Sequence, residues 1–198
     1  MSRLEATRRL ISGRIAPPLA RLLARTPLTP NALTWTGFVI TVAAAALILT
    51  GHYLAAGIVV LLAGFFDMLD GALARLKGQV TRFGAVLDST LDRLSEAVLL
   101  LALLYIFARD GQAAWGLLCG LALLGSLMVS YLRARMEGLG LECRAGLFTR
   151  PERVILVALG LLLSRFDYAL VIAIGLLAFF SFFTVIERLV YAQRHLND

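Results

Sequence analysis

Charge is scarce in this chain. Asp, Glu, Lys and Arg make up only 16% of its 198 residues, while 60% are hydrophobic. Water-soluble domains lie near half apolar, so the composition excludes an ordinary soluble domain and points into a bilayer. Cysteine is scarcer still. Cys119 sits in an apolar run and Cys143 in a basic, polar stretch expected on the cytoplasmic side. The two are not placed to pair, which excludes a disulfide framework. The first 25 residues lack the apolar core and small-residue cleavage site of a signal peptide. No internal repeat, low-complexity tract or change of composition marks a second domain, so residues 1–198 read as one membrane domain.

Long apolar runs recur: Ala32 to Thr50, Tyr53 to Phe66, Ala97 to Ala108, Ala113 to Tyr131, Val154 to Leu163 and Tyr168 to Ile186. A spanning helix needs roughly 20 residues. The second and third runs reach that length only if their helices continue through the aspartate-rich stretch between them, and the fifth is short even so. The expectation is an all-α integral membrane protein in which about six spans, within residues 32–190, follow an amphipathic helix lying on the membrane surface over residues 1–25. In that first segment arginines alternate with leucines, which suits an anionic leaflet.

Basic residues fall mostly on one side. Arg3, Arg8, Arg9, Arg14, Arg21 and Arg25 precede the first run, and Arg75, Lys77, Arg82 and Arg93 cluster between the second and third. Arg133, Arg135, Arg144, Arg150 and Arg153 lie between the fourth and fifth, and Arg188 and Arg194 follow the sixth, whereas the opposite side keeps only Arg109 and Arg165. The positive-inside rule then places both termini and the aspartate stretch on the cytoplasmic face of the cell membrane.

Four aspartates stand in "DMLDGALARLKGQVTRFGAVLDSTLD", residues 67–92. On a helix running on to Arg75, the residues Asp67, Asp70, Gly71, Ala74 and Arg75 fall within an arc of about 140°. Gly84, Asp88, Asp92 and Ser95 follow the i, i+4 spacing of one face of the next helix. The polar turn between them folds the two stripes together, so the carboxylates converge while Gly71, Ala74 and Gly84 leave room beside them. Such a cluster needs positive charge. Oxygen donors without His, Cys or Glu argue against zinc and for a hard divalent ion, Mg2+ or Mn2+. The competing account is interfacial ion pairing with Arg75, Arg82 and Arg93. Four intramembrane carboxylates on facing stripes weigh against it. A carboxylate-lined cation transporter is a further reading, but its site belongs near the midplane on broken helices.

The pattern Asp67-x2-Asp70-Gly71-x2-Ala74-Arg75, eight residues, Gly84-x3-Asp88-x3-Asp92 resembles the signature of the CDP-alcohol phosphotransferases. That resemblance implies a chemistry. Asp67, Asp70 and Asp88 would hold one divalent ion and Asp67, Asp88 and Asp92 a second. Asp92 would also be the general base that takes the acceptor's hydroxyl proton. Gly71, Ala74, Arg75, Thr81 and Gly84 would receive the CDP moiety. "LTPNALT", residues 28–34, is similar to the family's nucleotide-side segment and adds Asn31 and Thr34, although Asn31 reads equally well as a helix N-cap. A homodimer is implied, and no nucleic-acid partner is expected.

The acceptor is read from the second basic cluster. Arg133, Arg135, Arg150 and Arg153 suit a phosphorylated alcohol, because guanidinium forks match phosphate oxygens. The bland account makes them positive-inside residues touching lipid headgroups. "SYLRARME" and "RPERV" are similar to stretches of the prokaryotic phosphatidylinositol-phosphate synthases and their archaeal ether-lipid relatives. The expected reaction moves a phosphatidyl group from CDP-diacylglycerol, or an ether analogue, to 1D-myo-inositol 3-phosphate. Glycerol 3-phosphate is the alternative acceptor.

Overall fold

A computed structural model describes residues 16–142, 146 and 148–196. Its elements are all helical: α1 (Ala16–Ala24), α2 (Pro30–Leu49), α3 (Tyr53–Lys77), α4 (Arg82–Arg109), α5 (Ala113–Gly138), α6 (Arg150–Leu162) and α7 (Ala169–Leu196). The first 15 residues of the expected surface helix lie outside the described residues, as do Cys143 and Arg144. What is described of that segment, α1, buries Ala20 against Leu33, Leu69 and Leu73 and turns Leu22 outward.

The two aspartate-bearing helices are continuous, as their spacing required. α3 runs 25 residues through Asp67 and Asp70 to Lys77, and α4 runs 28 residues from Arg82 through Asp88 and Asp92. The turn between them is held at both ends. Gly78 takes the left-handed conformation (φ 62°) at the C-terminus of α3, and Gln79 N–H donates to Ala74 O at 2.9 Å, a Schellman closure. Thr81 then caps α4, its hydroxyl accepting from Gly84 N–H at 2.9 Å. Lys77 reaches back to Thr26 O and Leu28 O at 2.8 and 2.7 Å, tying the turn to the α1–α2 connection.

Among the described residues four helices, α2, α3, α5 and α7, are long and apolar enough to cross a membrane. The sequence led us to expect about six. α4 has the length but carries Asp88, Asp92, Arg93 and Glu96 within its first 15 residues, and α6, with 13 residues, rises only about 20 Å. Small residues let these helices approach. A Cβ at Gly57 would lie 2.9 Å from Leu162 Cγ, and one at Gly160 would lie 2.6 Å from Ala173 Cβ, which locks α6 between α3 and α7. The apolar core, including Ile48, Val60, Leu100, Leu103, Leu161 and Leu177, fills the half of the bundle away from the aspartates. Outward faces stay apolar, with Val39, Leu117 and Phe179 each more than 60% exposed. In a bilayer such faces meet lipid.

Candidate active site

The four aspartates occupy the end of the bundle where α3 stops and α4 begins. Asp70 is buried and accepts from the Thr34 hydroxyl at 2.7 Å, which fixes α2 to α3. Asp67 presses on the same helix, for a Cβ at Gly37 would fall 2.8 Å from Asp67 Oδ1. Gly37 was not among the expected site residues. Its signal was its register, since Thr34, Gly37 and Thr41 share the buried face of α2. Between Asp67 and Asp92 lies the guanidinium of Arg150. Its Nη2 donates to Asp67 Oδ2 and stands 2.9 Å from Asp92 Oδ1. Among the described residues its Nε, also buried, has no acceptor.

Each expected nucleotide-side residue lines one cleft of about 290 Å³. Asn31 and Thr34 come from α2, Gly71, Ala74 and Arg75 from α3, and Thr81 and Gly84 from the start of α4, with Asp70 and Asp88 as the inner wall. Asn31 is not the N-cap. That place is taken by Thr29, whose hydroxyl accepts from Ala32 N–H at 3.2 Å, so the side chain of Asn31 serves the cleft instead. A Cβ at Gly84 would meet Thr81 Oγ1 at 2.9 Å and Asn31 Oδ1 at 3.2 Å, so glycine keeps that wall low.

A second cavity, of about 340 Å³, opens on the other side of Asp88 and also touches Asp92. Arg133, Arg150 and Arg153 line it, as expected; Arg135 does not, because it turns out from α5 and is exposed. Arg133 is half in solvent and pairs with Glu137 one turn on, at 2.9 Å. Arg153 is only 2% exposed and forms a fork with Glu96, Nε to Oε1 at 2.6 Å and Nη2 to Oε2 at 3.1 Å. Arg93 and Arg188 also line this cavity and were not singled out for it. Arg188 is buried and donates to Val129 O. Nothing in the local sequence separates it from an ordinary positive-inside arginine, because only the packing of α7 on α5 brings it there.

The donor set suits a hard divalent ion: four carboxylates, no sulfur and no imidazole at the focus. Among the described residues no three of them close on one point as a finished metal cage, and Arg150 supplies positive charge between Asp67 and Asp92 in this arrangement. The position thus accepts a cation, which is the property a metal ion requires of it. Two cavities thus share Asp88, one flanked by small residues and a single arginine, the other by several arginines, and they adjoin at the carboxylates.

Comparison with known proteins agrees. The profile of the CDP-alcohol phosphatidyltransferase family matches residues 27–186. The phosphatidylinositol phosphate synthase of Corynebacterium glutamicum is 39% identical over 185 residues, 91% of this chain and 84% of that protein. The archaetidylinositol phosphate synthase of Methanothermobacter thermautotrophicus is 38% identical over 192 residues, 96% of this chain and 94% of that protein. Crystal structures of the phosphatidylinositol phosphate synthase PgsA1 of Mycobacterium tuberculosis superpose well. Its CDP-DAG complex gives a TM-score of 0.81 at 40% identity, covering 89% of this chain and 92% of that one. Its complex with manganese and citrate gives 0.80 at 40% identity, covering 88% and 87%. With its signature aspartates at the junction of two cavities, this chain belongs to the CDP-alcohol phosphatidyltransferase family.

Proposed function

We propose that this protein transfers a phosphatidyl group from CDP-diacylglycerol to 1D-myo-inositol 3-phosphate, releasing CMP and forming phosphatidylinositol phosphate. The observation that carries the reading is the pair of cavities joined at Asp88. The cleft of Asn31, Thr34, Gly71, Ala74, Arg75, Thr81 and Gly84 takes the CDP end of the donor, with Arg75 as its cation beside the phosphates. The cavity lined by Arg133, Arg150 and Arg153 takes the acceptor's phosphate, since several guanidinium groups suit a dianion and would serve a neutral alcohol poorly. Relatives at 38–39% identity named as inositol phosphate lipid synthases support the same acceptor.

Asp67, Asp70, Asp88 and Asp92 would hold two divalent ions, Mg2+ or Mn2+, which when bound neutralise the pyrophosphate and the departing CMP. Asp92 faces the acceptor cavity, so it is placed to take the proton of the attacking hydroxyl. The hydroxyl oxygen forms a bond to the phosphorus that carries the diacylglycerol, and the bond from that phosphorus to CMP breaks. Arg150 then serves the acceptor side, as it lines that cavity beside Asp92.

The same reading places α4 and α6 across the membrane with the four apolar helices, for six spans in one domain after a surface helix that includes α1. Both termini and the site face the cytoplasm, where the basic residues gather. The protein would work as a homodimer. The test is a CMP-release assay with divalent ion, CDP-diacylglycerol and a panel of acceptors. Inositol 3-phosphate should be preferred. Preference for glycerol 3-phosphate would replace the acceptor, and no release with any acceptor would refute the reading.

A further inference from the structure

Glu96 lies one helical turn beyond Asp92, on the stripe that already carries Gly84 and Asp88. It is 8% exposed in a helix bundle and is not alone. Ser126 of α5 donates to its Oε1 at 2.6 Å, and Arg153 of α6 donates to both of its oxygens at 2.6 and 3.1 Å. Three helices thus meet at one carboxylate. All three side chains are buried, and Glu96 and Arg153 also line the acceptor-side cavity.

A buried ion pair is weak ground for stability. It recovers its desolvation cost only with very good geometry, and well-packed apolar residues in its place are often as stable or more so. What the triad does supply is a fixed orientation. The side-on fork commits Nε and Nη2 of Arg153 to Glu96, and among the described residues Nη1 donates to no protein group. Ser126 in turn fixes the carboxylate from the opposite helix.

We infer that Glu96, held by Ser126, is a positioning residue that aims Arg153 at the phosphate of the acceptor. This rests on the acceptor reading above and deepens it. Two effects oppose each other in this geometry. The negative charge of Glu96 repels a phosphate, so charge alone predicts that its removal tightens acceptor binding. Loss of the fork, by contrast, releases the guanidinium and weakens binding. A glutamine amide would turn an N–H group toward Nη2, so one arm of the fork fails. The fork is made of charge-assisted hydrogen bonds, the strong class, so orientation outweighs the repulsion.

The experiment uses the full-length protein in detergent with Mn2+, comparing wild type, Glu96→Gln, Glu96→Asp and Ser126→Ala. Binding of 1D-myo-inositol 3-phosphate is measured by calorimetry, and KM is measured for both substrates by CMP release. Glu96→Gln and Glu96→Asp should weaken the acceptor about tenfold, and Ser126→Ala about threefold, with KM for the CDP-lipid unchanged within about twofold. Glu96→Asp keeps the charge and withdraws the carboxylate, so it isolates orientation. Tighter or unchanged acceptor binding in Glu96→Gln overturns the inference, as does an equal shift for both substrates. Should the Glu96 variants fail to fold, Ser126→Ala decides alone by the same criteria. Wild-type protein that binds neither inositol phosphate nor glycerol phosphate removes the acceptor reading and this inference together. If wild type and Glu96→Gln bind alike, only the inference falls.

Discussion

The two cavities that meet at Asp88 are built in different ways. The cleft proposed for the donor comes from one continuous piece of chain, residues 30–88, in which three helix segments and a capped turn bring small side chains together. The cavity proposed for the acceptor draws on α4, α5, α6 and α7, on residues 88–188, and is walled by charges that need partners. In the first, shape comes from what is missing, since glycine and alanine leave space and the turn is fixed by local caps. In the second, shape comes from ion pairs across helices, such as Arg153 with Glu96. A nucleotide headgroup can be accommodated by local backbone, but a small polyanion needs guanidinium groups carried in from several directions.

The sharpest way to separate the chemistry from both cavities is Asp92→Asn. The amide keeps an oxygen that can accept from Arg150 but cannot take a proton. CMP release should fall by about 10²–10⁴-fold, with the protein still monodisperse on size exclusion. Turnover near wild type would remove Asp92 as the base. Stripping divalent ions with a chelator should be as complete in effect, and restoring Mg2+ or Mn2+ should return activity.

The donor cleft alone is addressed by Gly84→Val. Its Cβ would fall 2.9 Å from Thr81 Oγ1 and 3.2 Å from Asn31 Oδ1, so both the cap and the cleft wall must move. Overpacking of this kind costs about 1–3 kcal/mol, and KM for CDP-diacylglycerol should rise roughly tenfold or more. Binding of inositol phosphate, measured by calorimetry, should not change. Loss of both would show that the cavities are mechanically one.

The same contrast decides how much was legible in the sequence. The cleft of Asn31 and Arg75 was: Asp70, Gly71, Ala74, Arg75, Gly84 and Asp88 lie within two helical stripes, and helical periodicity alone brings them to one side. Gly37 was not singled out, because its register with Thr34 and Thr41 marks a face of α2 but does not show that Asp67 packs against it. On the acceptor side, arginine composition indicated the right stretch but could not sort its members. Arg135 points away, while Glu96 and Arg188 enter through tertiary packing that no local period encodes. Glu96 did continue the i, i+4 row from Asp92, and that was the one available signal. The number of spans was harder to read for a related reason. Charged side chains in the first half of α4 and the short run of α6 depart from the uniform apolar stretch by which a span is recognised.

The smallest effect tests the sorting of the arginines. Arg133 and Arg135 are two residues apart near the C-terminal end of α5 and carry the same charge. A headgroup role would make them equivalent, and removal of either would then weaken the CDP-lipid and the acceptor alike. The structure separates them, since Arg133 lines the acceptor cavity and Arg135 does not. Arg133 is exposed and already shares its guanidinium with Glu137 at 2.9 Å, so solvent and that partner moderate its pull on a phosphate. Exposed pairs of this kind are worth about 0.2–1 kcal/mol, so Arg133→Ala should raise the acceptor KM by roughly threefold to fivefold at constant kcat. Arg135→Ala should leave it within about twofold. Added salt should narrow the gap, because an exposed charge is screened over about 10 Å at 0.1 M, whereas the buried Arg153 should keep its contribution. Equal shifts in the two variants, or a gap that salt leaves untouched, would show that the acceptor cavity is not selected by the side chains that line it.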